Sequence, residues 1–209
     1  SLNGSNVLTL TYAAGTTANI AGAFVLGGGS ATTVYNTTNA VTTVASTGTF
    51  TNSGGTFTGA SLTALLVNGT YVHNINGGTI PTATYALTSN VNVTGVVGTA
   101  PTPPTVIGGN FTWNSTAQTG TALSFTSTLT TIGGNCNIIS TGTAGSFQFG
   151  TSPTLAVGGL TTLSGGTLLA AGGTLNFNGG LVLSGTTINT TSNTNINVVG
   201  NFTQSGTGT

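Results

Sequence analysis

Apolar and polar residues alternate in short runs along most of this chain, with a period of two. Val7-Leu8-Thr9-Leu10-Thr11-Tyr12, Thr49-Phe50-Thr51, Thr56-Phe57-Thr58, Leu123-Ser124-Phe125-Thr126, Thr174-Leu175-Asn176-Phe177 and Ile196-Asn197-Val198 each put apolar groups on one side of an extended backbone and hydroxyls or amides on the other. These runs predict half-buried β-strands. Helix is disfavoured throughout, because 35 glycines are scattered along the chain and Thr, Ser, Asn and Val dominate the rest. Gly-Gly, Asn-Gly and Ser-Gly pairs between the runs supply the tight turns.

The spacing of these signals predicts how the strands are arranged. In the C-terminal half a glycine-led strand start recurs at Gly109-Asn110-Phe111-Thr112, Gly134-Asn135-Cys136-Asn137, Gly159-Leu160-Thr161-Thr162, Gly180-Leu181-Val182-Leu183 and Gly200-Asn201-Phe202-Thr203, in steps of 25, 25, 21 and 20 residues. A repeat of that length, holding two or three short strands and their turns, matches one coil of a stacked solenoid. The fold expected is all-β, a parallel β-solenoid (β-helix, right-handed) or a β-strand-repeat array. Asn110, Asn135 and Asn201 are the candidate structural ladder, bonding to their counterparts on adjacent coils. Residues 1–99 read as an irregular β-strand-repeat region. Residues 100–105, with Pro101, Pro103 and Pro104, read as a Pro-rich crossover, and 106–209 as the regular coils.

Composition then narrows the function. The chain has 209 residues and not one Lys, Arg, Asp or Glu. An ordinary chain carries about one charged residue in four, so chance would give this with a probability on the order of 10 to the minus 26. Paired carboxylates, a Ser-His-Asp arrangement, a Schiff-base lysine and a calcium cage are all absent, and with them ordinary acid-base enzymology. Nucleic acid and acidic lipid lack the basic side chains they need. His73 and Cys136, the lone members of their types, fall short of a metal-ligand set, and no cofactor is implied. No apolar run reaches the length of a membrane-spanning helix, and the aromatics lack the girdle rhythm of a membrane barrel. An apolar content of 37% and no self-repulsion favour folding and association over disorder.

The stretch from Asn68-Gly69-Thr70-Tyr71-Val72-His73 through Gly77-Gly78-Thr79-Ile80-Pro81 to Thr84-Tyr85, followed by Val93-Thr94-Gly95 and Gly109-Asn110-Phe111-Thr112-Trp113-Asn114, resembles a module of very large β-strand-repeat surface proteins of gliding-type Gram-negative bacteria. The resemblance is close over roughly residues 65 to 120 and looser beyond. It implies export by type IX secretion, hence contact with that machinery, and an extracellular or outer-cell-surface location. It implies no catalytic residue.

The function expected is a structural, non-catalytic segment of a large secreted cell-surface or filament-forming protein: a stalk, fibre or passenger stretch whose partners are copies of itself or other surface proteins. The alternative is a glycan-binding adhesin module. Its candidate binding residues are Tyr71, His73 and Trp113, whose rings suit stacking on sugar faces. The competing reading of the same three residues is that they pack between coils.

Overall fold

The structure, a computed structural model, describes residues 8–11, 13–27, 33–38, 40–126 and 128–206. Among them every regular element is a strand, and every strand pairing is parallel. The chain is a parallel β-solenoid. Its strands fall on three faces that the chain visits in the same order in each coil.

One face is continuous. Ala23–Leu26, Thr49–Asn52, Thr70–His73, Asn90–Val93, Asn110–Asn114, Cys136–Ser140, Thr161–Leu163, Leu181–Leu183 and Phe202–Gln204 form a single nine-stranded sheet. Its inward positions stack in register, so Phe24, Phe50, Tyr71, Val91, Phe111, Cys136, Thr161, Leu181 and Phe202 make one column. Successive members are 26, 21, 20, 20, 25, 25, 20 and 21 residues apart. The coil period therefore runs through the N-terminal half as well.

The other two faces are each split in two. The second face comprises a four-stranded sheet ending at Thr84–Tyr85 and a five-stranded sheet starting at Val106–Ile107. The third comprises a three-stranded sheet ending at Thr56–Thr58 and a four-stranded sheet starting at Leu123–Ser124. Residues 100–105, expected as a crossover between two stretches, form instead one side of a coil. Thr102 bridges Thr79, its N–H donating to Gly78 O at 2.8 Å while Ile80 N donates to Thr102 O at 2.9 Å. Proline is tolerated there because only Thr102, between Pro101 and Pro103, has to pair with the coil before.

Glycine sits at the corners because stacked backbones leave no room for a side chain. A Cβ on Gly134 would run into Gly109 and Asn110, and one on Gly159 into Gly134 and Asn135. The next member of this stack is Gly179, not Gly180, since Thr161 pairs with Leu181 and a Cβ on Gly179 would collide with Gly159. The glycine-led alignment at Gly180 is thus one residue out of register.

The interior is filled by two aromatic groups joined by valines. Phe24, Tyr35, Phe50, Phe57 and Tyr71 pack with ring centroids 5.1–6.0 Å apart in the first half. Phe111, Trp113, Phe125, Phe147 and Phe149 form the second group. Val91, Val93 and Val96, fully buried, lie between them.

Candidate functional site

Tyr71 and His73 lie two residues apart on one strand, so both point the same way, and that way is inward. His73 is fully buried. Its Nε2–H donates to Gly77 O at 2.7 Å, which leaves Nδ1 as the acceptor for the Tyr71 hydroxyl at 3.3 Å. Burial lowers the His73 pKa below its ordinary 6.5, outweighing the Gly77 carbonyl that favours the charged form. Burial also raises the Tyr71 hydroxyl well above 10.0, against a smaller opposing effect of the Asn52 carboxamide beside it. The imidazole is therefore neutral and fixed in one tautomer, holding the Gly77-Gly78 turn to the core.

Trp113 is equally buried. Its ring stacks on Phe147 at a centroid distance of 4.1 Å, and its Nε1–H donates to Gln118 Oε1 at 3.0 Å. Gln118, itself 1% exposed, donates its amide protons to Gly120 O at 3.0 Å and Ser146 O at 2.9 Å. The indole and the glutamine together tie a corner of one coil to the next. No ring of Tyr71, His73 or Trp113 is available for a sugar to stack on, because inward parity on the long sheet sends all three into the core.

The asparagines occupy outward positions of the same sheet. Asn110 Nδ2 donates to Asn90 Oδ1 at 3.1 Å, Asn135 N donates to Asn110 Oδ1 at 2.9 Å, and Leu160 N donates to Asn135 Oδ1 at 2.9 Å. The ladder runs from Asn90 through Asn110 and Asn135. Asn201 lies outside it, separated from Asn135 by the coils carrying Leu160 and Gly180 at that register position. Asn90 escapes the glycine-led template because Ser89 precedes it, although it stands 20 residues before Asn110, one coil earlier. A second pair, Asn197 Nδ2 donating to Asn176 Oδ1 at 2.8 Å, lies on the second face.

Cys136 is fully buried in the inward column, and burial pushes its thiol up to about 12. A thiol so rarely ionised is a core side chain and not a nucleophile.

Two clefts lie where the ladders lapse. One cleft, about 410 Å³, lies on the third face between the Thr56–Thr58 edge and the next coil, lined by Thr56, Phe57, Ile75, Thr79, Pro81 and Thr82 among others. A second, about 470 Å³ and mostly apolar, lies on the second face between Thr84–Tyr85 and Val106, with Leu62 and Pro104 in its wall. Both have the volume of ordinary ligand pockets. Neither is lined by an ionisable side chain other than the Tyr85 phenol, which is bonded to Pro81 O at 2.7 Å and raised well above its ordinary pKa by burial. Such walls can bind a neutral, hydroxyl-bearing or apolar group; no carboxylate, imidazole or thiol lines either cleft. Alternation of apolar and polar positions is silent on these two clefts, which depend on where neighbouring coils fail to pair.

Comparison with protein-family models, with curated protein sequences and with solved structures gives no match for this chain.

Proposed function

We propose that this chain is a structural, non-catalytic segment of a large secreted protein, a stalk, fibre or passenger stretch at a bacterial cell surface. The observation that carries the reading is the unbroken nine-stranded parallel sheet. At the usual strand spacing it spans about 38 Å of rod. A rod of this kind holds a shape through backbone hydrogen bonds along its axis, and those bonds do not depend on pH or salt. The candidate chemistry points the same way, since His73, Cys136 and Trp113 are all committed to packing. Copies of itself or neighbouring surface proteins are the proposed partners, through strand edges left uncharged. Type IX export and surface location rest on the resemblance of residues 65 to 120.

The test is fractionation of the native host followed by tryptic digestion and mass spectrometry. Trypsin has no site in this stretch, so a large uncut fragment is expected in the surface or secreted fraction, with flanking peptides identifying what the rod carries. Recovery from the cytosolic fraction alone would overturn the reading.

The cleft beside Phe57 favours a second reading, glycan binding, at a place different from the three residues read from sequence. Thr56, Thr79 and Thr82 supply hydroxyls there. Glycan-array binding abolished by paired Thr79→Val and Thr82→Val substitutions would support it; an empty array would remove it.

A further inference from the structure

Four Asn-Gly pairs occur in the sequence: Asn3-Gly4, Asn68-Gly69, Asn76-Gly77 and Asn178-Gly179. The first lies outside the described residues. An asparagine followed by glycine is chemically labile, because the glycine nitrogen can reach the side-chain amide carbon with no Cβ in the way. Attack requires that this nitrogen lose its proton and that the carboxamide turn onto it, so hydrogen bonds to either group oppose the reaction.

The three described pairs differ sharply in this respect. Asn76 is locked twice: its Oδ1 accepts from Val97 N, Gly98 N and Thr99 N at 3.0, 2.8 and 2.9 Å, and Gly77 N donates to Thr99 O at 2.8 Å. Asn68 is locked once, through Gly69 N donating to Val44 O at 3.2 Å. At Asn178-Gly179 both residues are exposed, and among the described residues neither the carboxamide nor the Gly179 N–H has a hydrogen-bond partner. The turn is closed by other groups, Gly180 N donating to Phe177 O and Asn178 N to Val157 O.

We infer that Asn178 is a site of spontaneous deamidation, the first of the three described Asn-Gly pairs to bring a negative side chain into this charge-free chain. The Gly179 nitrogen gives its proton to water or hydroxide and bonds to Asn178 Cγ. The Cγ–N bond of the carboxamide breaks, and ammonia leaves with a proton taken from solvent. Water then opens the cyclic imide, at Cγ to give an aspartate or at the main-chain carbonyl to give an isoaspartate, in which the chain runs on through the side-chain carbon.

The isoaspartate lengthens the main chain by one carbon at the corner joining Gly173–Phe177 to Leu181–Leu183, where Gly179 is pressed against the Gly159 backbone. The modification therefore loosens the stack at this corner as well as charging it.

The experiment is incubation of the native protein at pH 8.5 and 37 °C, with intact mass, native isoelectric focusing, and chymotryptic or peptic mapping over time. A parallel sample is held unfolded in guanidinium. In the native protein Asn178 is expected to convert at least about tenfold faster than Asn76, the cost of opening one good hydrogen bond, with Asn68 between them. Unfolding should bring all three to similar rates. Asn178→Gln should abolish conversion in the peptide that holds this corner, with the acidic species it accounts for, while leaving the circular dichroism spectrum unchanged. Native conversion led by Asn76 or Asn68, or a ranking that persists in the unfolded chain, would overturn the inference.

Discussion

Acid should weaken this protein through one residue. Apart from the chain ends, His73 is the one group that titrates between the carboxylate and thiol ranges, because no Asp, Glu, Lys or Arg exists to share the burden. Its pKa is lowered in the folded state, by burial first and despite the Gly77 carbonyl. The unfolded chain therefore binds a proton at pH values where the folded chain does not. Stability is complete above the unfolded value of about 6.5, declines as pH falls below it, and levels off once pH passes beneath the folded value. Within that window the slope cannot exceed one proton, about 1.4 kcal/mol per pH unit. For a chain of this size that corresponds to roughly 3 to 5 °C of Tm per unit. Thermal melts followed by circular dichroism in steps from pH 8 to pH 4 measure it directly. His73→Gln, which keeps a neutral donor near Gly77 O, should give a flat profile over the same range. A variant as acid-sensitive as the parent would refute the reasoning, since no other side chain could then account for the slope. On the alkaline side the sign reverses: the Cys136 thiol and the Tyr71 and Tyr85 phenols have raised pKa values when folded, so stability is full below their ordinary values of 9.0 and 10.0 and declines above them.

Truncation of Trp113 to Ala should cost about 3 to 5 kcal/mol in denaturant titrations, and Gln118→Ala about 1 to 3 by leaving the indole N–H and two carbonyls unpaired. Thr161→Val should instead stabilise by about 1 kcal/mol, because the Thr161 hydroxyl is buried with no hydrogen-bond partner among the described residues; an unchanged or lower denaturation midpoint would contradict this. Asn135→Ala should expose Leu160 N–H, speeding its hydrogen exchange and costing about 1 to 2 kcal/mol. Gly142→Ala should be among the worst of the glycine substitutions, since φ there is +71° and a Cβ would strike the Gln118 carbonyl; a soluble, fully stable variant would contradict the corner geometry.

Strand direction and coil length were legible in the sequence for a physical reason. A stack of coils needs apolar residues at alternate positions and a glycine wherever two backbones touch at a corner, and Thr49-Phe50-Thr51 or Gly109, Gly134 and Gly159 carry those needs openly. Inward parity is legible as well. Tyr71 and His73, like Phe111 and Trp113, are two residues apart and must share a face. What the sequence did not carry is which coils are neighbours. Asn201 repeats the local text of Asn110 yet stands three coils beyond Asn135, while Asn90, with different flanking residues, is the true neighbour. The clefts were hidden for the same reason: pairing between coils is a long-range matter, and residues 75–83 and 96–104 replace strand text with bends on which periodicity is silent.

The two lapses in the ladders fall at successive levels and on different sides. Between the coils entered at Phe50 and Tyr71, the third face is open while the second stays paired through Leu66 and Thr84. Between those entered at Tyr71 and Val91, the second face is open while the third is laced by Gly77, Ile80 and Thr102. A beam notched on one side and then, a step higher, on another flexes in two planes at the notches and stays stiff elsewhere. The coil holding His73 and Tyr85 is thus held to each neighbour by the long sheet and by one other face, a different one on each side.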